Sequence, residues 1–272
     1  MSLVTVDGMS VEVSGPERGL PVVFGHSLLF NRRMFAAQVA ELSRDYRCIN
    51  VDFRGHGQSA PPPRGFAITD QADDFRKVLD QLGIEKAAFV GLSMGAMAAM
   101  HFAVAHPGRA LGLVLMNTSA GAEPTPVRAK EMALAVMARA FGIRPFIVKQ
   151  VAPLMFGTSY RAEHPEAVGP WFAEMKSLDR AGLYRAIVMV LSRPPVGPKL
   201  AGVRVPTLVI AGDEDVAAPP AMGRAIAETI PGAELRLLPR CGHISTVEQP
   251  EVTTKLLRVF LDRLAQGAVS AA

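Results

Sequence analysis

The sequence predicts an α/β protein: a mostly parallel, eight-stranded sheet flanked by helices and interrupted once by a helical insertion. Three observations lead there. Short apolar runs alternate with stretches of helical spacing over most of the 272 residues, the rhythm of strand–helix–strand units joined by short links. Runs such as "LPVVFGH" and "VPTLVIAG" are continuously apolar, as expected of strands covered on both faces. From about Gly121 to Pro198 the rhythm stops, and only helical stretches divided by prolines remain. The expected organisation is a core domain of residues 1–120 and 199–272, with a helical insertion at 121–198.

The elements follow in order. "SLVTVD" and "MSVEVS" alternate in polarity around Asp7-Gly8, a two-residue hairpin signal. The buried strand "LPVVFGH" comes next, then a helical stretch around 33–43, the strand "YRCINVDF" and a glycine-rich loop, "RGHGQSAPPPRG". Residues 69–82 have helical spacing, with Phe75, Val78, Leu79 and Leu82 on one side. The strand "AAFVGL" leads through "GLSMG" into a helix at 94–106, apolar nearly all round and ended by His106-Pro107-Gly108. After the strand "ALGLVLMN", the insertion holds helical stretches at 126–141, 145–155, 164–178 and 180–192. "VPTLVIAG", a helix at 219–230, the strand "AELRLLP" and a helix near 250–265 complete the chain. In the last of these Val252, Leu256, Phe260 and Leu264 recur every four residues.

Composition narrows the function classes. With 49% hydrophobic and 20% charged residues, a chain of this length buries a large core without disulfides or metal. Lys and Arg number 29 against 25 acidic residues, a net charge of +4, and the basic residues are scattered. That is a solvated surface, not a nucleic-acid groove. Cys48 and Cys241 match no metal spacing and read as free thiols. The N-terminus lacks the basic and apolar regions of a signal peptide. The most apolar long segment, 87–105, contains Ser93 and His101, and it reads as strand, turn and buried helix, not as a membrane span. The expectation is a cytoplasmic protein without cofactor or metal, acting on a small molecule, with homo-oligomerisation left open.

The chemistry centres on Gly91-Leu92-Ser93-Met94-Gly95. Gly-x-Ser-x-Gly between a strand and a helix forces a turn so sharp that its backbone is strained, and this lifts Oγ clear of the sheet. Gly91, Gly95 and Ala96 supply the small neighbours that such a turn demands. A serine hydroxyl needs a base to take its proton, and in this arrangement acid and histidine follow the serine along the chain. Of six histidines, His101 and His106 lie on the helix after the serine, His164 falls in the insertion, and His26 and His56 precede it. His243, in the loop "RCGHIST" after the last strand, is the candidate base. The acid belongs in "VIAGDEDVAAPP"; spacing leaves Asp213 and Asp215 both open.

"FGHS", "DFRGHGQS", "GLSMG", "GDEDVAAP" and "LPRCGHISTVEQP", in this order, resemble the α/β-hydrolase superfamily over nearly the whole chain outside 121–198. The resemblance implies the α/β-hydrolase fold with the insertion as a cap, and through Gly212-x-x-Asp215-x-x-x-Pro219 it selects Asp215 as the acid. It also implies an oxyanion hole built from the N–H groups of Met94 and Leu28. The chain departs from the family at Ser27, where glycine is usual and turns the backbone more freely. "HSLL" has a faint likeness to enol-lactone hydrolases. Glycine-rich "DFRGHGQS" is read as a tight structural turn despite its reactive residue types. Apolar residues of the insertion, among them Met155 and Trp171, are a helical core whose inner face would wall an adaptable pocket. The expected activity is serine-dependent hydrolysis of a small to medium apolar carboxylic ester or lactone through an acyl-enzyme. The alternatives are haloperoxidase-like perhydrolysis, carbon–carbon hydrolysis and a non-catalytic ligand sensor on the same fold.

Overall fold

Asp7 and Gly8 both take positive φ, 47° and 81°, the two-residue turn whose twist matches that of the strands it joins. They connect β1 (Ser2–Val6) to β2 (Met9–Ser14) as an antiparallel pair. The remaining strands are β3 (Pro21–Gly25), β4 (Arg47–Val51), β5 (Ala87–Leu92), β6 (Ala110–Met116), β7 (Thr207–Gly212) and β8 (Glu234–Leu238). In the computed structural model, which describes residues 1–270, they form one sheet in the order β1-β2-β4-β3-β5-β6-β7-β8. β2 runs antiparallel to β4, and every pairing from β4 to β8 is parallel.

The continuous apolar runs are explained by two separate cores. Val23, Ile49, Phe89 and Leu113 point to one face, where α2 (Ile68–Gln81), α3 (Met94–Ala105) and α9 (Pro220–Thr229) cover them. Val22, Phe24, Cys48, Val90 and Val114 point to the other, against α1 (Ala36–Leu42) and α11 (Pro250–Ser270). In α11 the buried residues are Leu257, Phe260, Leu261 and Leu264, whereas Val252 is 47% exposed. Steps of four drift about 40° per repeat on a helix of 3.6 residues per turn, so the fourfold repeat from Val252 leaves the buried side.

Within 121–198 the chain forms α4 (Thr125–Phe141), α5 (Pro145–Met155), α6 (Thr158–Glu163), α7 (Pro165–Ser177) and α8 (Arg180–Leu191). Pro145 and Pro165 are first helical residues, the position where a missing N–H costs nothing. Pro153 and Pro170 instead lie inside helices. α6 and α10 (Ser245–Glu248) do not stand out in the sequence, being too short for periodicity to register. No helix among the described residues is long and apolar enough to cross a membrane. Cys48 and Cys241 are free and buried.

Parallel strands deliver their following loops to one edge of the sheet. That edge collects the segments after β3, β5, β6, β7 and β8, and with them Leu28, Ser93, Asn117, Asp215 and His243.

Candidate active site

Ser93 sits between β5 and α3 at φ 53°, ψ −112°, a left-handed conformation that non-glycine residues adopt at a cost of about 1–3 kcal/mol. Its N–H donates to the carbonyl of Met116, and the Thr118 hydroxyl donates to its carbonyl. The strained turn is therefore held on both sides by the end of β6. The two glycines serve different neighbours. A Cβ on Gly91 would lie 2.4 Å from the Ala96 nitrogen, within the turn, whereas one on Gly95 would lie 1.9 Å from the Gly25 carbonyl of β3.

His243 is 4% exposed and Asp215 3%. Nδ1 of the imidazole and Oδ2 of the carboxylate lie 2.8 Å apart, which leaves Nε2 as the nitrogen for the serine side. Of the two aspartates left open by spacing, Asp215 is the one beside the imidazole; Asp213 is exposed and receives only a long contact from the Cys241 N–H, 3.4 Å. Asp215 Oδ1 accepts from the N–H groups of Ala217 and Ala218. Oδ2 also accepts from Asn117 Nδ2 at 3.0 Å. Asn117, at the end of β6 with φ 47°, further donates to the Gly242 carbonyl and accepts from the Ser245 hydroxyl. The sequence reading passed over Asn117; its one visible signal is an amide ending an otherwise apolar strand.

The loop after β3 departs from expectation in a useful way. Ser27 keeps an ordinary φ, and the left-handed residue is Leu29, at 71°. The Ser27 N–H contacts Met34 Sδ, that of Leu29 donates to His56 Nε2, and that of Phe30 donates to the Ser27 carbonyl. Among the described residues, Leu28 alone in this run has an N–H without an acceptor. The N–H of Met94, first residue of α3, likewise has no acceptor inside its own helix. Burial pushes His26 down to about 4 and His56 down to about 3. Both rings are neutral, so His26 can accept from the Phe53 N–H while His56 orients Leu29. "DFRGHGQS" is a structural knot around Asp52, which accepts from the N–H groups of Arg32 and Gln58 and pairs with the Arg32 guanidinium.

A second buried carboxylate frames the histidine. Glu248 accepts from the N–H groups of Gly242 at 2.7 Å and Ile244 at 3.1 Å, one on each side of His243, and from Gly157 of the helical insertion at 3.1 Å. Glu214 accepts from the Ser159 N–H and hydroxyl. The insertion is thus stitched to both the Asp215 and His243 loops. Cys241 packs beneath them, its thiol pushed up by burial and by the surrounding carboxylates.

Between Leu28–Leu29 and helices α4, α5, α7 and α8 lies a cavity of about 100 Å³ that opens to solvent. Its wall is aliphatic and aromatic except for Glu131. Ser93 does not line it; the cavity meets the sheet edge at Leu28. Among the described residues no cluster of histidine, cysteine or carboxylates could hold a metal.

The chain as a whole is similar to known proteins. A family model described as the alpha/beta hydrolase fold matches residues 21–250. A 3-oxoadipate enol-lactonase of Acinetobacter baylyi is 30% identical over 245 residues, 89% of this chain and 88% of the relative. A thermophilic esterase from Thermogutta terrifontis superposes with a TM-score of 0.90 at 30% identity, covering 97% of this chain and 99% of the other. The enol-lactonase of Burkholderia xenovorans follows at 0.88 and 30%, covering 96% and 100%.

Proposed function

The chain belongs to the α/β-hydrolase family, and from that premise we propose that it hydrolyses carboxylic esters or lactones through an acyl-enzyme on Ser93. The observation that carries this reading is the buried 2.8 Å contact between Asp215 and His243, in two loops of the sheet edge that also presents Ser93. Nε2 of His243 takes the serine proton as Oγ attacks the carbonyl carbon, and Asp215 holds the imidazolium through Nδ1. The N–H groups of Leu28 and Met94 receive the oxyanion, each worth about 3 kcal/mol of transition-state stabilisation. The intermediate collapses as His243 returns its proton to the departing alkoxide, which a lactone keeps tethered. Water then gives a proton to Nε2 and attacks the acyl carbon, and the imidazolium passes that proton to Ser93 Oγ as the C–Oγ bond breaks and the acid is released.

Residues 121–198 act as the cap and 1–120 with 199–272 as the core. The apolar wall above Leu28 supports a small to medium hydrophobic acyl group, because such a surface gains by losing water and offers nothing to a strongly solvated chain. Ser93→Ala is expected to lower kcat for p-nitrophenyl butyrate by more than about 10³-fold with an unchanged thermal melt. A fluorophosphonate probe should label the unsubstituted protein at Ser93 only. Turnover that survives the substitution sinks the reading.

A further inference from the structure

The cavity wall contains one ionisable residue, Glu131, in the second turn of α4. No hydrogen bond or ion pair reaches its carboxylate among the described residues, and only burial and distant charges act on it. The cation best placed to neutralise it is already committed. Arg193 pairs with Glu123 at 2.8 Å and also donates to the Ser119 hydroxyl and the carbonyls of Gly121 and Val190. Of the other charges reaching Glu131, Glu123 opposes its ionisation, while Lys130 on the outer side and His243 at the reaction centre favour it. Burial outweighs them and raises its pKa. Glu131 is half-buried, and a carboxylate set in an aliphatic wall gives up part of its hydration and gains no partner, so local stability does not account for it. Departures of this kind gather where a molecule meets its ligand. Its place on the cavity wall suits it to act on any chain end that enters there.

We propose that Glu131 is the charge filter of the acyl pocket: it turns away esters and lactones whose acyl chain ends in an anion and reserves the site for uncharged chains. This rests on the serine-hydrolase reading and deepens it. No lysine, arginine or histidine lines the cavity, so an anionic chain end would lose its water and meet only a like charge. At a partly buried separation of several ångströms such repulsion discriminates by a factor of ten or more.

The test compares p-nitrophenyl hexanoate with the mono-p-nitrophenyl ester of adipic acid, six-carbon acyl chains ending in a methyl group and a carboxylate. The unsubstituted enzyme is expected to show a kcat/KM at least tenfold lower for the adipate ester. In Glu131→Gln the adipate-to-hexanoate ratio should rise at least fivefold. A second arm needs no variant: with an ester ending in a sulfonate, charged at every pH used, the sulfonate-to-hexanoate ratio should climb as pH falls from 8 to 5. Both esters use the same Ser93 and His243, so the ratio removes what they share and the climb reports Glu131. Equal handling of both chain ends, a ratio unmoved by Glu131→Gln, or a ratio flat with pH overturns the filter while leaving Ser93 labelled and active. Absence of both turnover and fluorophosphonate labelling instead overturns the serine-hydrolase reading, and the filter with it.

Discussion

Asn117 illustrates what one side chain contributes at the residue scale. Its amide gives both hydrogens to the two loops of the acid–histidine pair, to Asp215 Oδ2 and to the Gly242 carbonyl, and its oxygen receives the Ser245 hydroxyl. Asparagine suits the spot a second way, since it tolerates the positive φ found there better than most residues. Removing the amide leaves a buried carboxylate and a buried carbonyl each short of a donor, at about 1–3 kcal/mol apiece. Asn117→Ala is therefore expected to lower kcat about tenfold with KM within twofold, because Asp215 can swing while the acyl pocket is untouched. Steady-state kinetics on a p-nitrophenyl ester decides it: a variant that loses only substrate affinity would show that Asn117 does not act through Asp215.

At the scale of elements, the strand–helix register and the short links that bind the insertion to the sheet have different origins. Strands and long helices are encoded locally, which is why β5, the Ser93 turn and α3 could be read from the consecutive residues 87–105. The clamp at Glu248 is not encoded that way. One carboxylate at the end of a four-residue helix receives N–H groups from the His243 loop and from Gly157, 91 residues away. The approach is close enough that a Cβ on Gly242 would lie 2.1 Å from the Gly157 nitrogen. Glu248→Gln replaces one of the two acceptor oxygens by an NH2 group facing an N–H, so it should cost about 1–3 kcal/mol in urea denaturation. Amide exchange of residues 155–159 and 240–245 should quicken together. Faster exchange in one segment alone would mean that the two are held independently.

At the scale of the whole molecule, the buried pair His26 and His56 ties stability to pH. Their ring centroids are 5.0 Å apart, and both are held neutral by burial, with values lowered to about 4 and about 3 from an ordinary 6.5. A base whose folded value lies below its unfolded one takes up a proton first in the unfolded chain. Its contribution is complete above about pH 6.5 and is lost as pH falls towards 4 and then 3, on the order of 3 kcal/mol for His26 alone. Glu131 and Glu248 run the other way, their raised values favouring protonation in the folded state, and they offset part of the loss. The urea midpoint should accordingly be lower at pH 5.0 than at pH 7.5. His56→Gln, which keeps an acceptor for the Leu29 N–H, should flatten the dependence; an equal slope in that variant would assign the effect elsewhere.

The sequence by itself determined the layered sheet, the helical interruption and the strained turn at Ser93, and it singled out His243 as the candidate base. Each of these rests on periodicity, chain order or the bulk of residues two positions away, and such constraints act over short stretches of chain. The family pattern already pointed to Asp215, but tertiary structure alone set it against His243, left the Leu28 N–H open while engaging its neighbours, and brought in Asn117, Glu248 and Glu131. A hydrogen-bond partner is selected by distance in space, and the pairs concerned lie 98 residues apart for Asn117 and Asp215 and 28 for Asp215 and His243. Only closing the sheet brings such groups within reach.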